Sequence, residues 1–168
     1  KGTALDDLQQ KPALAFEASV KALSNFGFKI KEIEIGEVES ALALSGLVYP
    51  SEAYAEWKDK IEAAPELMYG ESLQRFRGGK DVLASEYLKA MRDLEMFKNQ
   101  YDAKCSEFDG VILPTFSIMP PNLKRLESAN GYYVSQNLLA LRYTIIVNLI
   151  GIFSLTIPAI YNFCGLSI

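Results

Sequence analysis

Histidine is absent from all 168 residues, which narrows the chemistry before any pattern is sought. Without imidazole the chain holds no Ser-His-Asp or Cys-His relay and no His-ligated catalytic zinc. Its two cysteines, Cys105 and Cys164, lie far apart and have no CxxC partner. Free thiols in a reducing cytoplasm are the expected state, ahead of a disulfide. The carboxylates Glu32, Glu34, Glu37 and Glu39 crowd one solvated run and lack the contrast of environments that separates a general acid from a base. The serines are scattered, with no G-x-S-x-G elbow and no Ser-Ser pair. Gly78-Gly79 is isolated and reads as a helix C-cap, not a phosphate loop. One stretch stands apart, "FDGVILPTFSIMPP" at Phe108–Pro121, where a greasy run stops at proline and continues as a stiff apolar loop.

The elements that would position that loop follow from bulk numbers and periodicity. A content of 49% hydrophobic and 23% charged residues fits a single globular domain with a substantial core. A net charge of −4 gives no basic stripe, so nucleic acid is not an expected partner. Residues 12–27 read as an amphipathic helix, with Phe16, Val20, Leu23 and Gly27 on one face. "FKIKEIEI" at 28–35 reads as a half-exposed strand with a one-residue slip. Residues 39–49 read as helix up to Pro50. Ser51 is then the expected N-cap of a second helix that ends at Pro65, and "ESLQRFRGG" is a short helix closed by glycines.

The clearest helix starts at Ser85. Tyr87, Met91, Leu94, Phe97, Tyr101, Cys105 and Phe108 form one stripe along it, with Lys89/Asp93 and Lys98/Asp102 as spaced ion pairs on the wet side. Asp109-Gly110 turns into Val111-Ile112-Leu113, which has the composition of a strand buried on both faces. Pro114 cannot donate to a ladder and ends it. Residues 122–133 read as a polar loop. Residues 134–160 are very apolar, but Arg142, Asn148 and Pro158 interrupt them. A charge near mid-span costs about 2.5–3.5 kcal/mol, so a buried helix, Gly151 and a strand "FSLTIPA" are expected in place of a membrane span. Together these elements predict an α/β fold, helices packed on a mixed sheet. In such sheets ligands bind beyond the carboxyl ends of strands, where Thr115–Pro121 would lie. The N-terminus "KGTALDD" shows no initiator Met and no signal pattern, so no targeting step is visible. The C-terminus stops in apolar sequence, and a fragment of a larger domain is expected, one that self-associates through its exposed apolar face.

Ordered pieces of this sequence resemble the C-terminal half of the amidase signature family. A Ser51-Glu52-Ala53 helix start leads to Tyr69-Gly70 and an arginine, then to a helix carrying Ala84, Tyr87 and Ala90 as A-x-x-Y-x-x-A. The strand end Phe108-Asp109-Gly110-Val111-Ile112-Leu113-Pro114-Thr115 follows. An N-x-x-G-x-P-x-x-S-x-P counterpart then reads Asn148, Gly151, Phe153, Thr156 and Pro158, with Phe153 and Thr156 departing from the family residues. The resemblance spans nearly the whole chain and implies that 1–168 is the C-terminal part of a single amidase-like domain, an incomplete portion of the amidase signature fold. It implies hydrolysis of carboxamide C–N bonds by a Lys-Ser-Ser triad whose nucleophile sits in a Gly-Gly-Ser-Ser segment. No such segment occurs here, so no catalytic residue is assigned and this chain alone is expected to be inactive. It also implies no metal or organic cofactor, a small-molecule amide as substrate, and the remaining part of the domain as partner. Tyr69 and Arg75 match positions that hold the polar end of substrates, while Thr115, Phe116 and Met119 flank the entrance. Arg75 would favour acidic amides through a bidentate pair, and the apolar loop would favour aryl or alkyl amides. Two further roles stay open: a non-catalytic interaction scaffold and a glutaminase-type subunit of an amidotransferase.

Overall fold

The structure is a computed structural model that describes residues 5–128 and 131–158. Seven α-helices carry it: α1 Gln10–Asn25, α2 Gly36–Ala43, α3 Ser45–Ala63, α4 Gly70–Arg77, α5 Ala84–Cys105, α6 Leu123–Ser128 and α7 Tyr132–Ile150. Short 3₁₀ turns at Pro65–Leu67 and Gly78–Asp81 flank α4. The core forms where α2, α5 and α7 meet the first turns of α3. Val38 and Ala41, Val48, Ala90, Leu94 and Tyr101, and Tyr143, Ile146 and Ile150 make one buried cluster there.

The mixed sheet predicted from the sequence is not formed: among the described residues there is no β-strand. The segments expected as strands are indeed non-helical, but a strand also needs a neighbour to take its N–H and C=O groups. Residues 29–34, 110–114 and 153–158 make no backbone hydrogen bond to a described residue. Nor is Val111-Ile112-Leu113 buried on both faces, because Val111 and Ile112 are each 41% exposed. The segment "FSLTIPA" is irregular to Pro158 and stays exposed that far; Ala159 lies outside the described residues, as does Cys164.

Helical expectations fared better, with three corrections. Pro50 does not break the chain: α3 runs through it from Ser45, at the cost of one i→i−4 bond. Ser51 is therefore no N-cap, and its hydroxyl donates back to Leu47 O at 2.6 Å. Gly79 packs so tightly on this turn that a Cβ would sit 2.0 Å from Pro50 O. The stripe of α5 is rotated slightly, so that Ala90, Leu94 and Tyr101 are buried and Met91 is at the margin. The loop expected at 122–133 contains α6, started by the Asn122 carboxamide accepting the Arg125 N–H at 3.1 Å. Lys89 and Asp93 pair as expected, whereas Lys98 donates to Gly151 O at 3.0 Å, at the C-terminus of α7. There a cation meets the negative end of the helix dipole. Cys105 is a free, half-buried thiol. No described helix is long and apolar enough to cross a membrane.

Candidate functional site

Three of the chain's features converge on the N-terminal half of α7. Tyr69, just before α4, meets Tyr133 edge-on with ring centroids 5.0 Å apart. Arg75, within α4, donates from Nη1 to Asn137 Oδ1 at 3.0 Å. Residues 133 and 137 are one helical turn apart and so share a face of α7. Ser117, in the middle of the apolar loop, donates its hydroxyl to Leu139 O at 2.8 Å.

The loop is held from a second side by Gln9. The Gln9 N–H donates to Ser117 O at 2.9 Å, and the Met119 N–H donates to Gln9 Oε1 at 2.8 Å. Ser117 is fully buried and Ile118 nearly so, while Phe116 stays 41% exposed and Thr115 and Met119 are half-buried. Ser117 and Gln9 are thus the anchors, and neither is legible as such. A lone serine in an apolar loop carries no spacing signal, and Gln9 is remote in sequence.

Two neighbouring arginines differ in how they are satisfied. Arg77 makes a bidentate pair with Glu62, at 3.0 and 2.7 Å, and that guanidinium holds the Glu62 carboxyl below the usual carboxylate range. Arg75 makes one hydrogen bond to a described residue, and its acceptor is the uncharged Asn137 amide. A guanidinium carries five N–H donors, so Arg75 keeps capacity that Arg77 has spent.

A separate hollow of about 800 Å³ opens between α3, α5 and the end of α7. Val48, Met91 and Leu149 give it an apolar floor, with Tyr49, Arg92 and Asn148 at its edge. Tyr49 is pushed up from the ordinary tyrosine range by burial, against a hydrogen bond from Asn148. Tyr87 donates to Glu52 at 2.8 Å, and that hydrogen bond is the main cause of its raised pKa. A larger groove, about 1240 Å³, runs between α1 and residues 29–36 and 110–113. None of Tyr69, Arg75, Thr115, Phe116 and Met119 lines either hollow.

The amidase family profile matches residues 2–168. The chain belongs to the amidase family. A curated amidase-family relative, a glutamyl-tRNA(Gln) amidotransferase subunit from Sulfurisphaera tokodaii, is 27% identical to it over 184 aligned positions. The alignment takes in 93% of this chain but 38% of the relative, so this amidase sequence spans well under half of that protein's length. No solved structure matches it significantly.

Proposed function

We propose that this chain is the C-terminal part of an amidase that cleaves carboxamide C–N bonds, its Lys-Ser-Ser triad being supplied by a segment outside these residues. The observation that carries this reading is a family match over nearly the whole chain in a sequence with no adjacent serines. The part played by these residues is that of scaffold and wall. Helices α5 and α7 are the rigid base, and Tyr69, Arg75 and the Thr115–Met119 loop are the groups that meet the substrate. Its free donors suit Arg75 to an acidic amide, because a carboxylate oxygen is a stronger acceptor than the Asn137 carbonyl. The partners of this part are a small-molecule amide and the remaining part of the domain.

A second reading, as one subunit of an amidotransferase, is favoured by the name of the Sulfurisphaera tokodaii relative. Co-purification with a partner protein separates it from a stand-alone hydrolase. The primary test is to obtain the coding sequence upstream of Lys1 and express the continuous product. A lysine followed by a Gly-Gly-Ser-Ser segment, with ammonia release from carboxamides that is lost when the nucleophilic serine becomes alanine, supports the amidase. An unrelated domain at that place would sink the reading.

A further inference from the structure

We propose that α4 is a lid, latched onto α7 by Arg75, that opens without disturbing the core. Residues 65–83, which comprise α4 and the 3₁₀ turns on either side, include no buried residue. Their contacts divide into a base and a latch. The base is built on α3: Arg77 grips Glu62 in bidentate fashion, and Gly79 lies directly against the Pro50 carbonyl. The latch consists of two side-chain tips on one face of α7, Arg75 on Asn137 and Tyr69 on Tyr133.

The energetics of the two ends differ in kind. The base has a charge-assisted pair and a backbone-to-backbone approach that only glycine permits. The latch has one hydrogen bond to a neutral acceptor and one exposed ring contact, with Tyr69 55% exposed. An eight-residue helix is too short to persist without tertiary support. Once unlatched, α4 therefore loses its amide protection, while α5 and α7 keep theirs. Segments with few buried apolar contacts open at the low end of the stability range.

Opening frees the Arg75 guanidinium and bares Tyr133 and Asn137 beside the Thr115–Met119 loop. Control of substrate entry by the lid rests on the amidase reading; the motion does not. Its readout is hydrogen exchange, so the two fail separately.

The test is amide exchange on the full 168-residue chain, followed peptide by peptide. The α4 amides are expected to exchange at least about a hundredfold faster than those at the centre of α5. Arg75→Ala should speed α4 by about threefold to tenfold, the worth of one hydrogen bond, and leave α5 unchanged. Asn137→Asp turns the latch into a charge-assisted pair and should slow α4 below the wild type, a gain that misfolding cannot imitate. Protection of α4 equal to that of α5 would overturn the proposal. So would either substitution shifting both helices together, or Asn137→Asp failing to slow α4.

Discussion

The buried junction of α2, α5 and α7 and the exposed 65–83 segment are both helical, yet they are held by different physics. In the first, Ile146 and Ile150 are 1% and 0% exposed, and each contributes through apolar area removed from water. In the second no residue is buried, and position is set by Arg77–Glu62, Gly79 and the tips of Arg75 and Tyr69. Helix content therefore says little about where stability resides in this molecule. It resides at the junction, and the polar segment is free to serve as a moving part.

Ile146→Ala is the sharpest way to probe the difference. Deleting a fully buried branched side chain should cost about 2–5 kcal/mol, read as a shift in the urea midpoint. Leu73→Ala in α4 should cost under about 1 kcal/mol, as for an unburied site. Equal costs would erase the distinction. Gly79→Ala comes next: a methyl placed 2.0 Å from Pro50 O forces α3 and the following 3₁₀ turn apart, at about 1–3 kcal/mol. A thermal midpoint unchanged in that variant would mean the base of the lid is looser than described.

The smallest effect is one of pH. Burial pushes Tyr101 and Tyr143 up to about 12 from the ordinary 10. A group whose folded pKa is raised contributes stability that is fully present below its unfolded pKa and is lost as pH rises through the folded one. The chain should therefore weaken between pH 10 and about 12. Tyr101→Phe and Tyr143→Phe should each flatten that decline in urea titrations, while Tyr69→Phe in the lid should not. A decline unaffected by the two core substitutions would place the titrating groups elsewhere.

What the sequence made legible matches this division. The stripe from Tyr87 to Cys105 announces α5 because a 3.6-residue period is a local property, and α-helices close their hydrogen bonds within themselves. "FKIKEIEI" and "GVILP" announce extended backbone equally well, but pairing depends on a neighbour that no local pattern specifies. The mixed sheet was inferred from strands alone, and no described segment supplies partners to them. Pro50 misled for a related reason: a proline signal is local, and the contacts that carry α3 through it, such as Gly79 against Pro50, come from distant sequence. The family resemblance was readable because it rests on ordered residues along the chain, and it holds over residues 2–168. The anchoring of the Thr115–Met119 loop by Gln9 and Ser117 was not readable, since it depends on where Leu139 O falls in space.

The central claim is that these residues form a wall of an amidase site without its reacting groups. Ammonia release from a panel of acidic, aryl and alkyl carboxamides, measured with the purified 168-residue chain, tests it most directly. The expected rate is indistinguishable from that of buffer. Turnover that rises in proportion to the concentration of this chain alone would contradict the claim.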